Sequence, residues 1–224
     1  MIAPWVEDDD AIEEVVRNTP RLCTTHCTLI KADRRGHVYF LEWGGHRLVI
    51  KWFPPFWAPP SRAVRRILKG RVGALIWERA LQAYERGVSI ARPLGMNQPA
   101  SRYRQAYLVS EWVDGVALDL ALADQALPQN TRAQIARNTG TVIRVMHSKG
   151  VTHGDLKPRN ILISDSEPVL IDPDGIRIHM ITAGLEKRAR RDYKTLVSEL
   201  AARSVEPLLV AELEQGMNAA AASD

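Results

Sequence analysis

The chain has 224 residues, of which 46% are hydrophobic and 25% are charged. This is enough apolar material for a sizeable core, so a fully disordered chain is excluded, and the length suits one large domain or two small lobes that share a cleft. The 30 basic and 26 acidic residues give a formal net charge of only +4, which does not by itself indicate nucleic-acid binding.

The apolar runs and the distribution of charge indicate where the protein acts. No apolar run reaches the roughly 18 residues that a membrane-spanning helix requires, and the acidic N-terminus is not typical of a signal peptide. We therefore expect a cytoplasmic protein that could still lie against a membrane. Residues 7–14 carry only acidic charges and residues 52–71 only basic ones. This asymmetry predicts an anionic partner on one face, and no nucleic acid is expected.

The two cysteines, Cys23 and Cys27, flank His26. A closed zinc site needs four ligands, and the sequence has no second pair of cysteines to complete one. The sequence therefore favours two reduced thiols on a strand over a metal half-site.

The first fifty residues predict an acidic lead-in followed by three antiparallel strands. Residues 1–21 suit a loose segment or a short helix. Alternating apolar residues then predict strands, and Gly44-Gly45 predicts a tight turn between the second and third of them. The predicted strands are Thr24–Lys31, Val38–Trp43 and Arg47–Phe53, and Asp33–Gly36 forms the first turn.

The stretch Trp52–Pro60 contains four aromatic and four proline residues, so it cannot be regular secondary structure. A run of basic residues follows as far as Arg71. Aromatic rings beside a basic helix suit a membrane interface with anionic headgroups, or an acidic glycolipid, so Trp52–Arg71 is a candidate for peripheral contact with a membrane. A proline-ordered linker whose rings pack on the protein is the alternative, and the sequence does not decide between them.

Helical spacing and further strands follow. Ser61 predicts the start of a helix that continues to about Gly87 and carries Glu78. Ser89–Leu94 and Tyr107–Glu111 predict two more strands. The later elements are a short helix at Ala117–Ala123, a long helix from Pro128 to Gly150, a strand at Val169–Ile171, and helices at Glu186–Arg203 and Pro207–Met217. The sequence thus predicts an α+β fold, with an N-terminal lobe at 22–113 and a mostly helical C-terminal lobe at 114–224.

The most informative stretches come after the long helix. They read His153-Gly154-Asp155-Leu156-Lys157-Pro158-Arg159-Asn160 and, after a strand, Ile171-Asp172-Pro173-Asp174-Gly175. Phosphoryl transfer from a magnesium nucleotide requires one carboxylate near the hydroxyl, and an amide oxygen and a second carboxylate on the metal. A capped turn without chemistry would explain any one of these residues, but the ordered set between two apolar strands favours catalysis.

These stretches resemble the H-R-D-x-x-x-x-N loop and the D-F-G motif of protein kinases, with Gly154 in place of the arginine and Pro173-Asp174 in place of the usual residues after the aspartate. The resemblance implies that Lys51, which ends Leu48-Val49-Ile50-Lys51, binds nucleotide phosphates and that Glu78 pairs with it. The backbone near Glu111 and Val113 would face the adenine.

The loop between the first two strands departs from the kinase pattern, because only Gly36 stands where a glycine-rich loop is usual. The neighbouring Arg34 and Arg35 either replace some of its phosphate contacts or are charges at the tip of a turn. This departure weakens the expectation of tight nucleotide binding.

The chain also lacks the A-P-E motif and the peptide platform of protein kinases. Together with the basic helix, the Asp-Pro-Asp-Gly variant and the Arg191-Asp192 pair, this resembles the bacterial lipopolysaccharide kinase family, whose members phosphorylate heptose or Kdo sugars. The resemblance implies ATP and Mg²⁺ as cofactors, and a sugar or anionic glycolipid as acceptor.

The resemblance also assigns roles to the site residues. Asp155 is the base, Lys157 stabilises the transferring phosphoryl group, and Asn160 and Asp172 bind Mg²⁺. Asp174 is a second metal ligand or a turn residue, and His153 braces the loop. Asp192 braces the loop backbone, or pairs with Lys187 or Arg188.

Three functions remain open from the sequence. The leading one is a kinase for lipopolysaccharide inner-core sugars, in lipopolysaccharide biosynthesis. A kinase for a soluble small molecule such as an aminoglycoside is the second. A catalytically silent kinase-like module that binds a nucleotide or lipid is the third.

Overall fold

The computed structural model describes residues 1–6, 9–33, 36–54, 72–98 and 105–219. The chain forms two compact units. Unit 1 comprises Met1–Leu81 and Ala91–Trp112, and unit 2 comprises Gln82–Ile90 and Val113–Asp224. Most of the predicted Trp52–Arg71 segment, the Ser61 helix start and the two arginines of the first turn lie outside the described residues.

Unit 1 contains an antiparallel sheet with strand order β1-β2-β3-β5-β4. Its strands are β1 (Thr28–Asp33), β2 (Gly36–Trp43), β3 (His46–Phe53), β4 (Pro93–Asn97) and β5 (Ala106–Glu111). The predicted turn between β2 and β3 is confirmed, since Trp43 pairs with His46 and both glycines between them have positive φ. The strand predicted at Ser89–Leu94 begins later, because Pro93 opens β4. Helix α2 (Val72–Glu85) follows β3 in the chain.

Of the two possibilities for the acidic lead-in, the structure has the helix. Helix α1 (Asp10–Thr25) has 16 residues and reaches into the strand predicted from Thr24. Asp9 caps its first turn, because its carboxylate accepts a hydrogen bond from the Ile12 N–H at 3.1 Å. Apolar residues at helical spacing, among them Ile12, Val16 and Leu22, are buried in the core of unit 1. The helix is therefore stabilised by burying its apolar face in this core. The high content of acidic residues in the sequence does not indicate this.

Pro20 lies inside α1 and has no N–H to donate to the Val16 carbonyl one turn earlier. Two side chains supply the missing donors. Asn97 Nδ2, from β4, lies 2.7 Å from Val16 O, and the Thr19 hydroxyl lies 3.1 Å from the same oxygen. The helix thus continues through its proline to Thr25, with the freed carbonyl satisfied.

The cysteines are free thiols, but they do not lie on a strand as predicted. Cys23 lies in the last turns of α1, and Cys27 follows the helix. A hydrogen bond between the thiols lowers the pKa of Cys27 and, together with burial, raises that of Cys23. Within the described residues, no group of three or more His, Cys, Asp or Glu side chains is placed to hold a metal.

Unit 2 is mostly helical, with short strand pairs that frame its loops. Its helices are α3 (Leu118–Ala123), α4 (Gln129–Ser148), α5 (Thr182–Ala202) and α6 (Pro207–Asn218), and its strands are β6 (Val116–Ala117), β7 (Val151–Thr152), β8 (Ile161–Ser164), β9 (Glu167–Leu170) and β10 (Arg177–Ile178). The helix predicted from Glu186 starts four residues earlier, at Thr182. Among the helices described here, none is both long and apolar enough to cross a bilayer.

Helices α4 and α6 cross at two glycines. A Cβ on Gly140 would lie 2.0 Å from the Leu213 carbonyl oxygen, and a Cβ on Gly216 would lie 2.1 Å from the Arg137 carbonyl oxygen. Both positions exclude any side chain, so the two backbones can approach closely and bury Ile143 and Leu213 between them.

We predict that Gly140→Ala lowers the free energy of unfolding by about 1–3 kcal/mol, because the added methyl group forces the helices apart. Denaturant titration measures the change. Gly184→Ala in α5 is the matched control, since its Cβ would have only ordinary contacts, the nearest at 3.5 Å. The control should be neutral or slightly stabilising. Equal losses in both variants would contradict the assigned helix crossing.

Candidate active site

Two loops of unit 2 bring the motif residues together. The first, residues 153–160, connects β7 to β8, and the second, residues 171–176, connects β9 to β10. Strand β7 pairs with β10, and β8 pairs with β9 through Ile161 and Leu170. Each loop is therefore held between the same two strand pairs. The Ile171 N–H also donates to the Asn160 carbonyl at 2.9 Å, which ties one loop directly to the other.

The buried carboxylate of Asp192, on α5, holds the first loop. It accepts hydrogen bonds from the backbone N–H of His153 at 2.7 Å and of Gly154 at 2.8 Å, and Asp192 is only 2% exposed. Hydrogen bonds from N–H groups to a carboxylate are among the stronger ones in proteins. The predicted brace is thus confirmed. Lys187 and Arg188, the alternative partners, are exposed, whereas His147 Nε2 lies 3.5 Å from the Asp192 carboxylate.

His153 is a structural residue in this arrangement. Its side chain is fully buried, and its Nε2 lies 2.9 Å from the Ile171 carbonyl oxygen in the second loop. A carbonyl only accepts, so Nε2 must carry the proton. Its Nδ1 is buried, with no hydrogen-bond partner among the described residues. The buried ring thus joins the first loop to the second.

Two glycines explain the missing arginine of the H-R-D pattern. Gly154 has a φ of +82°, and a Cβ there would lie 2.5 Å from the Gly175 carbonyl oxygen. A Cβ on Gly175 would in turn lie 2.5 Å from the His153 carbonyl oxygen. The two loop backbones are in contact at this point, so position 154 has no room for a side chain. Sequence reasoning did not identify this role of Gly175.

The polar side chains of the first loop are Asp155, Lys157 and Asn160. Lys157 Nζ lies 2.8 Å from Asp155 Oδ1, and both side chains are partly exposed. The Asn160 side-chain amide donates to the Asp155 carbonyl at 2.9 Å, and Asn160 is 7% exposed. Because its NH₂ group makes this bond, the side-chain oxygen is the atom left for a metal. The loop thus presents a carboxylate and a cation to solvent above a buried amide.

Asp172 adopts a left-handed backbone conformation, with φ +64° and ψ +68°, and precedes a 3-10 turn at Pro173–Gly175. Residues other than glycine are uncommon there, and such conformations are frequent at functional sites. Asp172 comes directly after Ile171, whose N–H is bonded to Asn160. The Asn160 amide oxygen and the carboxylates of Asp172 and Asp174 are hard oxygen donors, so this set fits Mg²⁺.

The predicted nucleotide residues of unit 1 are placed as follows. Lys51 lies on β3 opposite Leu108, and its Nζ is 5.5 Å from the centre of the Phe53 ring. Glu78 lies on the exposed face of α2, whereas its neighbour Trp77 packs into the core. Its pairing with Lys51 stays a prediction.

The segment at the end of β5 has its N–H groups partly occupied. The Glu111 N–H donates to the Arg92 carbonyl and the Trp112 N–H to the Arg47 carbonyl, both at 2.9 Å. Neither N–H is therefore available to donate a hydrogen bond to an adenine ring. The adenine contact at Glu111 and Val113 stays a prediction.

Gly36 has a structural reason to be glycine. A Cβ there would lie 2.0 Å from the Trp52 carbonyl oxygen across the β2–β3 ladder. This close approach accounts for the residue without any phosphate contact.

The comparisons with known proteins identify the family. A model of the lipopolysaccharide kinase (Kdo/WaaP) family matches residues 63–202, more than half of the chain. The chain belongs to this family. The family predicted from the motifs is therefore confirmed.

A solved structure described as "WaaP in complex with acyl carrier protein" superposes with a TM-score of 0.65 over 88% of this chain and 80% of that one, at 14% identity. This likeness concerns the fold, and it confirms the predicted α+β kinase-like architecture.

Curated serine/threonine kinases resemble a shorter stretch. The chain is 39% identical over 83 residues to protein kinase RAD53 of Saccharomyces cerevisiae, which covers 37% of the chain and 10% of that protein. It is 33% identical over 91 residues to PknA of Mycobacterium tuberculosis, which covers 40% of the chain and 21% of that protein. The chain thus spans only a small part of these relatives.

We predict that Gly154→Ala lowers kcat about a hundredfold, because a displacement of the loop on the scale of 1 Å misplaces Asp155. Steady-state phosphotransfer, with thermal unfolding alongside, measures the effect. Gly45→Ala is the control: Gly45 also has a positive φ, +81°, but nothing lies within 4 Å of its Cβ position. It should lower stability by about 1–2 kcal/mol and leave kcat unchanged. Full turnover by Gly154→Ala would contradict the backbone contact.

Proposed function

We propose that this protein transfers the γ-phosphate of Mg²⁺-ATP to a sugar hydroxyl of the lipopolysaccharide inner core, a heptose or Kdo. The observation that carries the proposal is the partly exposed Asp155 carboxylate, presented by a loop that Asp192, His153 and the Gly154–Gly175 contact hold in one conformation. A fixed, accessible carboxylate suits the task of orienting an acceptor hydroxyl and receiving its proton.

The remaining side chains have distinct roles in this proposal. Lys157, 2.8 Å from Asp155, stabilises negative charge that develops on the transferring group. Asn160, Asp172 and Asp174 would hold Mg²⁺, which when bound neutralises charge on the phosphate oxygens. Lys51 binds the nucleotide phosphates, with Glu78 as its partner in the nucleotide-bound state, and the backbone at Glu111 and Val113 receives the base.

The short connection after the second loop supports a non-peptide acceptor. Only residues 176–181 lie between the 3-10 turn that ends at Gly175 and the start of α5 at Thr182. A protein kinase places a long activation segment there to bind its peptide substrate, and this length leaves no space for one. The acceptor class therefore follows the family, whose model is named for lipopolysaccharide kinases.

The second candidate is a kinase-like module that binds a nucleotide without catalysis. The single glycine at the first turn, Gly36, favours it, because a glycine-rich loop is what normally brings backbone N–H groups to the phosphates. Stabilisation by Mg²⁺-ATP without ATP consumption, across a broad panel of acceptors, would establish this module and exclude the kinase proposal.

We predict that Asp155→Asn lowers kcat by about 10²–10⁴-fold, because the amide accepts no proton. Phosphate incorporation into the acceptor measures it. Asp165→Asn is the control, since Asp165 is exposed in the β8–β9 turn and asparagine tolerates its positive φ of 49°. The control should keep full activity. Unchanged kcat in Asp155→Asn would remove the assigned base.

We also predict that isolated inner-core oligosaccharide is phosphorylated with a higher kcat/KM than soluble amino-sugars such as aminoglycosides. Mass spectrometry of the products identifies the modified sugar. Preference for the aminoglycoside would replace the lipopolysaccharide assignment with that of a small-molecule kinase, while leaving the roles of Asp155 and Asn160 intact.

A further inference from the structure

Two large apolar side chains are almost fully exposed in unit 2, close to the active-site loops. Met180 is 88% exposed and Ile181 is 75% exposed, and both lie between β10 and α5. The preceding residue is firmly held: the His179 N–H donates to the Gly150 carbonyl at 2.8 Å, and the His179 ring lies 3.0 Å from the Thr152 hydroxyl. The apolar pair therefore projects from an ordered backbone, at a cost in solvation that a partner surface would remove.

Helix α5, which begins next to this pair, has a basic stripe. Four cations recur at the i, i+3, i+4 and i+7 positions that share one helical face, and all are exposed: Lys187, Arg190, Arg191 and Lys194. The buried residues of the helix, Asp192, Leu196 and Leu200, lie on the other side. Glu186 is the single exposed acid between Gly184 and Lys194. The stripe thus carries a strong positive charge that no ion pair among the described residues offsets.

Two more arginines extend the positive charge towards the apolar pair. Burial first, and then the charges of Arg188 and Arg177, lower the pKa of His179. Both guanidinium groups therefore lie near the residue that precedes Met180. The apolar side chains are flanked by cations on the strand side as well as on the helix side.

We propose that Met180, Ile181 and the basic stripe of α5 form a docking surface for a bilayer leaflet that contains anionic lipid. Exposed apolar side chains insert at the boundary between headgroups and acyl chains, while lysine and arginine bind the lipid phosphates. The choice of a lipid leaflet over another anionic partner rests on the proposed glycolipid acceptor. These residues are different from those of Trp52–Arg71, the segment that the sequence suggests for membrane contact.

The surface is coupled to the catalytic loop through one helix. Asp192, which accepts the His153 and Gly154 N–H groups, is the neighbour of Arg191 and faces the opposite side of α5. An enzyme docked through the stripe would stay at the leaflet that contains the acceptor. Docking thereby raises the local concentration of a membrane-bound sugar without contacting the reacting atoms.

The test is flotation of the full chain with vesicles of equal parts phosphatidylcholine and phosphatidylglycerol. The triple variant Lys187→Gln/Arg190→Gln/Lys194→Gln should bind about a hundredfold more weakly, at about fivefold for each charge removed. Met180→Ser/Ile181→Ser should also weaken binding. Vesicles of phosphatidylcholine alone should not bind, and added salt should release the protein from the anionic vesicles.

Arg17→Gln/Arg21→Gln/Lys31→Gln is the matched control, because it removes the same charge from exposed positions of unit 1. It should bind the anionic vesicles as well as the native chain does. Asp155→Asn should also bind them as well, so that a failure of docking is distinguished from a failure of catalysis. Circular dichroism confirms that each variant is folded.

Equal vesicle binding by the native chain and the α5 triple variant would overturn the proposal. So would equal loss in the control, or retention of the native chain on immobilised polyglutamate but not on anionic vesicles. The last result would assign the surface to an acidic protein.

Discussion

The site depends on one buried carboxylate. Asp192 accepts the N–H groups of two consecutive loop residues, and a two-residue backbone segment held at both amides has little freedom. The group that carries the proposed chemistry, Asp155, is the next residue along. A buried carboxylate is unfavourable unless its oxygens are bonded, so the loop and α5 stabilise each other. The position of the proposed catalytic residue is therefore fixed by a carboxylate that is itself buried.

The second constraint is steric. Gly154 and Gly175 bring two backbones into contact, and His153 bridges the same loops through the Ile171 carbonyl. Strand pairing outside the loops then keeps Asn160 and Asp172 on adjacent chain segments. Hydrogen bonds, strand pairing and close packing thus all act on the two loops, 153–160 and 171–176, and together they make the loop pair rigid.

Much of this could be predicted from the sequence, because the site is encoded in short contiguous motifs. The spacing from Asp155 to Asn160, the strand before Asp172 and the tail without a peptide platform were enough to indicate the fold and the family. Asp192, near the start of a predicted helix, was predicted as a brace because it resembles the corresponding aspartate of kinase-like folds. These features depend on local order along the chain, which sequence shows directly.

Other features depend on distant contacts, and the prediction failed there. The sequence left residues 1–21 open between a loose segment and a short helix. It could not show that α1 continues through Pro20, because the freed Val16 carbonyl is bonded by Thr19 and by Asn97, some eighty positions later. The motif likewise did not show that Glu78 would be exposed on α2. The sequence does not show the contact between Gly154 and Gly175 either. The glycine at position 154, where kinases have an arginine, was nevertheless a signal that a side chain does not fit there.

The contact between these glycines has a consequence for control of the enzyme. In protein kinases the residue at position 154 is an arginine through which phosphorylation of the activation segment switches the catalytic loop on. Here the backbone at Gly175 occupies the space of a side chain at position 154, so an arginine at that position would require the loop of Gly175 to move. The proposed catalytic loop therefore has no room for this switch, and we expect control to act on the access of the acceptor instead.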